Sequence, residues 1–257
     1  MTVPRGAVVI LTQNPIGRGV SNARWASIGG IQNNAIWKEN DPKNPHSVHN
    51  EIVAWHVAQN LGLPIPHSFP FVTPDGRHVF LQLNFNGNGP LLPPLSPAEC
   101  NAAVVDNPFT SAKILASDIL LMNTDRHAGN LAFRTGSNGL FVIYDHGHAV
   151  FGAPGHDPAP RRFARTDWLG CDGKPGARHC LLDRITNCND LLAALTEVEE
   201  LDDSVFANAM LAARAAGLSA ADGNQGLNAL KKRRDRIKKI AHSNRAEFRG
   251  ISQWCLT

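Results

Sequence analysis

The spacing of apolar residues changes along this 257-residue chain, and the change limits the folds that it can adopt. In the first third, short apolar runs alternate with turn residues, which is typical of strands. The last hundred residues are rich in Ala and Leu, which favours helices. A chain that passes from strands to helices in this way predicts an α+β fold.

The first part is predicted to hold five strands and one helix. Apolar residues recur at helical spacing from Ser47 to Leu61, and Gly62 and Pro64 end that pattern. Either Gly29–Gly30 or Asn33–Asn34 supplies the turn of a hairpin between the second and third strands. The strands are predicted at residues 6–12, 21–28, 35–38, 68–72 and 78–85.

The second part follows a stretch rich in Asn, Gly and Pro, residues 84–97, which predicts a flexible connector. Helical spacing returns between Thr110, a predicted N-cap, and Asn123. A small hairpin, a loop and a series of helices are predicted after it, at residues 130–144, 152–175 and 178–248.

These elements predict two lobes. The first is a small β-rich N-lobe over residues 1–86, and the second is a helical C-lobe over residues 87–257. A cleft between two lobes is a common place for a ligand.

Composition excludes several classes of protein. With 43% hydrophobic residues, the chain buries enough surface to fold and is not a disordered tail. Asp118 interrupts the longest apolar run, which is too short to cross a membrane. The apolar residues 7–11 are too few for a signal peptide. Five cysteines without a CxxC pair argue against a disulfide framework and a zinc site. We therefore expect a cytoplasmic protein.

The densest group of polar residues is the segment 123–130, which a hairpin separates from Asp145 and Gly147. Phosphoryl transfer needs a carboxylate that orients the attacking hydroxyl and oxygen ligands that hold Mg²⁺. Asp125 suits the first role, and Asn130 and Asp145 suit the second. Either piece alone is more typical of a turn, a helix cap or a strand end. Both pieces lie at the ends of apolar elements, which favours a site.

Lys38 and Glu51 add a second constraint. Lys38 closes an apolar strand, and Glu51 lies one turn inside the following helix. In kinases a strand lysine neutralises the α- and β-phosphates, and a helix glutamate holds its ammonium group. The alternative is a solvated strand end and a charge on the helix surface. Apolar neighbours on most sides of Glu51 favour a helix that is packed against other elements.

Together these sequence motifs resemble those of HipA-like kinases. The matching blocks are Lys38, Asn50–Glu51 with residues 61–66, residues 123–130 and residues 143–147. The DRHxxN and DHG patterns also look like those of phosphatidylinositol 3- and 4-kinases, a neighbouring branch of the same fold. The resemblance covers residues 17–150. It implies a two-lobed protein-kinase-like fold, ATP with Mg²⁺, and phosphorylation of a hydroxyl group, usually on a protein serine or threonine.

The resemblance also implies roles for individual residues. By motif position, Lys38 is the phosphate-binding lysine and Glu51 is its partner. Asp125 is the catalytic base, and Asn130 and Asp145 are the Mg²⁺ ligands.

Two further assignments follow from the resemblance with less support from the motifs. His127 is assigned a hydrogen bond to the transferring phosphoryl group. Gly17, Gly19 and Ser21 are assigned to a loop over the phosphates, although the third glycine of that pattern is absent.

Three functions stay open at this point. The first is a serine/threonine protein kinase with a protein substrate and, in some settings, a regulatory partner. The second is a kinase for a lipid or a small alcohol. The third is a pseudokinase or binding module, which the retained site residues argue against.

The basic run, residues 231–239, also has two interpretations. It predicts either a docked helix with a solvated basic face or a binding surface for an anionic partner.

Overall fold

The computed structural model describes residues 9–16, 23–86, 95–134, 140–153, 158–170 and 178–255. Within these ranges, five strands pair antiparallel in one sheet with the order β1-β2-β3-β5-β4. The strands are β1 Val9–Pro15, β2 Arg24–Ile28, β3 Ile31–Glu39, β4 Ser68–Val72 and β5 His78–Leu83. Each overlaps a strand that the sequence predicts, so the β-rich first part is confirmed.

The turn between β2 and β3 is formed by Gly29 and Gly30, whose φ angles are 64° and 81°. Glycine adopts such angles at little cost, and the first of the two predicted turns is the one present. Asn34, from the other predicted turn, hydrogen-bonds across the hairpin. Its side-chain oxygen accepts from the Ile28 backbone N–H at 2.8 Å, and its amide donates to the Ile28 carbonyl at 3.0 Å.

Helix α1, Ser47–Asn60, is buried on most of its surface. It lies where the spacing predicts it, and Gly62, with φ 62°, follows its C-terminus. The helix packs against the sheet on one side and against a helix of the second part, α6 (Asp203–Ala215), on the other. Because both sides are covered, the polar residues Asn50 and Glu51 of α1 need partners inside the protein.

The second part is mainly helical. Its predicted hairpin is present as β6 Leu131–Arg134 and β7 Leu140–Ile143. One apolar core joins this part to α1, and a smaller cluster around Trp37 lies against the sheet. The other helices are α2 Pro97–Asp106, α3 Pro108–Leu121, α4 Ala159–Ala164, α5 Cys188–Glu199, α7 Ala220–Arg234 and α8 Ile237–Ser243.

The architecture is therefore the two-lobed α+β fold that the sequence predicts, with a small β-rich lobe and a helical lobe. The boundary between residues 86 and 87 stays a prediction, because residues 87–94 lie outside the described part of the chain. No helix in the described ranges is long and apolar enough to cross a membrane.

Three helices differ from the prediction. Helix α3 begins at Pro108 and not after Thr110, because proline suits the first helical position. Helix α2 was not predicted, although Ser96 and Glu99 form a capping box in which Ser96 Oγ accepts from the Glu99 backbone N–H at 3.2 Å. Helix α4 lies inside the stretch that was predicted to be a loop.

Cys188 and Cys255 form a disulfide, with their Cα atoms 5.8 Å apart. The prediction that the cysteines form no disulfide is wrong for this pair. The two residues are 67 positions apart, so no short spacing pattern marks them, and only the folded chain brings them together.

The basic run lies across the end of α7 and the start of α8. Arg233 is buried and donates to the carbonyls of Ile119 and Leu120, at the C-terminal end of α3, at 2.6 and 3.2 Å. Other side chains of the run pair with acidic residues: Lys231 and Arg234 with Asp203, Arg236 with Asp167, and Lys238 with Glu199. These contacts support the docked-helix interpretation, and an anionic partner stays a prediction.

His49, on α1, makes the stability of this fold depend on pH. Its ring is buried and its Nε2 lies 3.2 Å from the Ala216 carbonyl oxygen. Burial lowers the pKa of His49 from 6.5 to about 4. Between these values the unfolded chain binds more protons than the folded one, so the protein loses stability as the pH falls from 6.5 towards 4.

We predict that His49→Gln reduces the loss of unfolding free energy between pH 7 and pH 5 by about 2 kcal/mol. Urea denaturation at both pH values measures the difference. His67 is exposed, so His67→Gln serves as the matched control and leaves the loss unchanged. An equal loss in His49→Gln and the wild type contradicts the assignment.

Candidate active site

Lys38 lies in the interior of the protein between two carboxylates. Neighbouring strand residues point to opposite faces of a sheet, so Lys38 faces α1 while Trp37 enters the cluster on the other face. The Lys38 Nζ lies 2.5 Å from Glu51 Oε1, on α1, and 2.7 Å from Asp145 Oδ1, which follows β7. We call these three residues, Lys38, Glu51 and Asp145, the lysine triad.

Mutual attraction keeps all three groups of the triad charged. Burial lowers the pKa of Lys38, but the charges of Asp145 and Glu51 outweigh this effect and raise it above its ordinary value. Burial raises the pKa of each carboxyl group, but the Lys38 charge holds both of them below their ordinary values. One ammonium and two carboxylates leave a net negative charge, which favours a cation beside Asp145.

Helix α1 also holds the backbone on both sides of Gly147. Glu51 Oε1 accepts from the His146 backbone N–H at 2.9 Å. The Asn50 amide donates to the carbonyls of Gly147 and Gly152 at 2.7 and 3.0 Å, and its oxygen accepts from the Phe151 N–H at 3.0 Å. These bonds fix residues 145–152 against α1. Asp145 itself has a φ of 60°, a region that Asp enters more readily than most residues.

Arg126 joins the two polar segments of the second part. Its guanidinium is buried and donates to the carbonyls of Asn130 and Tyr144 at 2.8 and 2.7 Å. It also donates from Nε to Asp118 Oδ2 at 2.8 Å. One side chain therefore sets the position of Asn130 relative to the residue before Asp145.

Asp118, on α3, is the counter-charge for Arg126. Its Oδ1 accepts from the Asn123 amide at 2.8 Å, and its Oδ2 lies 3.0 Å from His179 Nε2. Burial raises the pKa of Asp118, but the charge of Arg126 and the contact with His179 hold it below its ordinary value. This carboxylate is the same residue that interrupts the apolar run in the sequence.

Asp125 lies at the partly exposed rim of the site. Its Oδ2 lies 3.6 Å from His148 Nδ1 and 4.0 Å from His127 Nε2. Asn130 is fixed beside it, because the Asn130 amide donates to the Asp125 carbonyl at 2.7 Å. The ring of His127 is half exposed, and its Nδ1 accepts from the Gly129 N–H at 2.9 Å.

The structure therefore brings together most of the residues that the sequence predicts. Lys38, Glu51 and Asp145 are in direct contact, and the Tyr144 N–H donates to the Asn130 carbonyl at 3.2 Å next to them. Asp125 and His127 lie on the same loop as Asn130. The proposed phosphate loop, with Gly17, Gly19 and Ser21, lies outside the described residues.

Several residues of the site have no role in the sequence interpretation. Their common property is a polar side chain in an apolar setting, and that signal was available only for Asp118, which interrupts an apolar run. The residues are Asn50, Asp118, Arg126, His146, His148 and His179.

The donor groups fit a divalent cation that is shared with phosphates. The oxygens of Asn130 and Asp145 are ligands that suit Mg²⁺, which proteins bind through one or two side chains together with substrate phosphates. The bond from the Asn130 amide nitrogen to Asp125 leaves the Asn130 side-chain oxygen for a ligand. Among the described residues, no group of three or more His, Cys, Asp or Glu side chains could hold a metal ion on its own.

No family model and no curated protein matches this chain. Among solved structures, the Helicobacter pylori proinflammatory kinase CtkA is similar, with a TM-score of 0.62 and 18% identity over 91% of this chain and 95% of that one. HipA of Shewanella oneidensis MR-1, in a complex with HipB and operator DNA, has a TM-score of 0.49 and 13% identity over 98% and 68% of the two chains. The Golgi casein kinase with Mn and ADP bound has a TM-score of 0.44 and 14% identity over 97% and 76%.

The similarity to CtkA shows that this chain has a protein-kinase-like fold. The resemblance that the sequence motifs indicate is thus confirmed at the level of the fold.

We predict that Asp118→Asn lowers the free energy of unfolding by about 3 kcal/mol, because it leaves the buried Arg126 guanidinium without its counter-charge. Chemical denaturation at neutral pH measures the loss. Asp106, at the exposed end of α2, offers the matched control, and Asp106→Asn is expected to change stability by less than about 0.5 kcal/mol. Equal stability of the two variants would rule out Asp118 as the counter-charge.

Proposed function

We propose that this protein is an ATP-dependent phosphotransferase, and specifically a HipA-like kinase that transfers the γ-phosphate of ATP to a serine or threonine of a protein. The observation that carries the proposal is the lysine triad, in which Lys38 Nζ lies 2.5 Å from Glu51 and 2.7 Å from Asp145. Kinase catalysis requires a lysine held by a helix glutamate and a metal-binding aspartate, both in place at once. The triad holds the lysine against a helix glutamate and places an aspartate beside it, which supports the proposal.

In the proposed reaction, this chain binds and orients the nucleotide. Lys38 stays protonated, because its pKa is raised, and binds the α- and β-phosphates. Asn130 and Asp145 hold Mg²⁺, which when bound neutralises the charge on the phosphates. Gly17, Gly19 and Ser21 are assigned to the loop over the phosphates by motif position alone.

Asp125 is the proposed base. Its carboxylate is one-third exposed, so an acceptor hydroxyl from solvent reaches it, in contrast to the buried Asp118. It orients the hydroxyl and takes its proton as the phosphoryl group transfers. His127, with a half-exposed ring on the same loop, is proposed to donate a hydrogen bond to that group.

The protein substrate, a regulatory partner and an anionic partner for the basic run all stay predictions.

A cytoplasmic location also stays a prediction. The Cys188–Cys255 disulfide argues against that location, since disulfides are rare in reducing compartments. Counting the free thiols of protein isolated without a reductant tests whether the Cys188–Cys255 disulfide forms.

We predict that Asp125→Asn and Asp145→Asn fail at different steps. Asp125→Asn is expected to bind a non-hydrolysable ATP analogue with Mg²⁺ within about threefold of the wild type and to lose phosphate transfer by about 100-fold or more. Asp145→Asn is expected to weaken nucleotide binding by about tenfold or more, because the amide that replaces the carboxylate deprives the metal of a negatively charged ligand. Calorimetric titration and transfer of labelled phosphate from ATP measure the two steps, with Asp106→Asn as the control.

The acceptor in the transfer assay distinguishes the alternatives. Labelling of protein hydroxyls supports the proposal. Labelling of inositol-lipid vesicles alone would show that the protein is a lipid kinase instead. Nucleotide binding without transfer to either acceptor replaces it with a binding module. Full transfer by Asp125→Asn would show that another group is the base.

A further inference from the structure

His146 lies in the interior between the two halves of the proposed site. Its ring is 1% exposed. On one side its Nε2 lies 2.7 Å from Arg126 Nη2, and on the other its Nδ1 lies 3.7 Å from Glu51 Oε2. The phosphotransfer roles assigned above use Asp145 and give no task to the histidine that follows it.

The contact with Arg126 sets the role of one ring nitrogen of His146. A guanidinium only donates hydrogen bonds, so His146 Nε2 accepts from Arg126 Nη2 at 2.7 Å. His146 Nδ1 faces the Glu51 carboxylate at 3.7 Å and makes no hydrogen bond among the described residues.

His146 thereby links two groups of buried polar side chains, which together we call the polar chain: its backbone N–H donates to Glu51 Oε1 at 2.9 Å, and its ring accepts from Arg126. Glu51 binds Lys38 at one end, and Arg126 binds Asp118 at the other. Arg126 also holds the carbonyls at Asn130 and Tyr144, as described above. No side chain of the polar chain is more than 7% exposed. Its members are Lys38, Glu51, His146, Arg126, Asp118 and His179.

We propose that His146 is a positioning residue that sets the loop of residues 123–130 relative to the lysine triad. The inference rests on the proposed function and extends it to a residue that touches neither nucleotide nor acceptor. Hydrogen bonds to charged groups are the strong ones, and phosphoryl transfer is sensitive to the position of the base. An acceptor for Arg126 at this point holds the loop that carries Asp125 and Asn130 in place relative to Lys38.

The alternative is that His146 only fills space, and two substitutions separate the possibilities. His146→Phe keeps an aromatic ring of similar size and removes the acceptor. His146→Gln restores an acceptor close to the position of Nε2. Val198 is fully buried on α5 and outside the polar chain, so Val198→Ala serves as a control that lowers stability without touching the site.

For His146→Phe we expect turnover to fall by about tenfold or more, the value for losing a hydrogen bond to a charged group, with the dissociation constant for Mg·ADP within about threefold of the wild type. His146→Gln is expected to regain most of the turnover, and Val198→Ala to keep it. Wild-type turnover in His146→Phe overturns the inference. So does a loss in His146→Gln as large as in His146→Phe, or an equal loss in Val198→Ala.

Amide hydrogen exchange gives a readout that does not depend on activity. His146→Phe is expected to speed exchange in peptides covering residues 123–131 by about tenfold, with α5 unchanged, because the loop loses one of its anchors. Unchanged exchange in that loop overturns the inference. If the wild type transfers phosphate to no acceptor, the proposed function fails, and the exchange experiment alone then decides the role of His146.

Discussion

The contact of one buried ammonium group with two carboxylates determines how the two lobes of this protein meet. Lys38 comes from the sheet, Glu51 from α1 and Asp145 from the segment after the small hairpin. Removing any of these charges from water is expensive, and only close opposite charges offset the cost. The chain therefore has to bring three distant segments to within hydrogen-bond distance. The net negative charge that remains favours a cation beside Asp145.

Helix α1 carries most of this arrangement. Its surface is covered by the sheet on one side and by α6 on the other, so its apolar residues are not confined to one face. Asn50 and Glu51 use this central position to bind the backbone of residues 146–152. From Glu51 the polar contacts continue through His146 to Arg126, which holds the loop of Asp125 and Asn130. The packing of α1 and its polar contacts thus hold the same residues of the candidate site in place.

Local pattern was enough to predict the strands, α1 and the hairpin, because turn residues and spacing act over a few positions. It also marked Lys38, Glu51 and Asp145, which the fold brings into contact. Features that depend on distant parts of the chain were not predicted. The Cys188–Cys255 disulfide joins residues 67 positions apart, and Arg126 finds its partners on α3 and after β7. The capping box of α2 is visible in the sequence as Ser96 followed three residues later by Glu99.

The most direct test of the account is a crystal structure of the protein with Mg²⁺ and a non-hydrolysable ATP analogue. The account predicts the α- and β-phosphates at Lys38 Nζ, and one metal ion bound by the side-chain oxygens of Asn130 and Asp145. The terminal phosphate is expected to face Asp125. A nucleotide bound elsewhere, or at this site with no phosphate near Lys38 and no metal at Asp145, would contradict it.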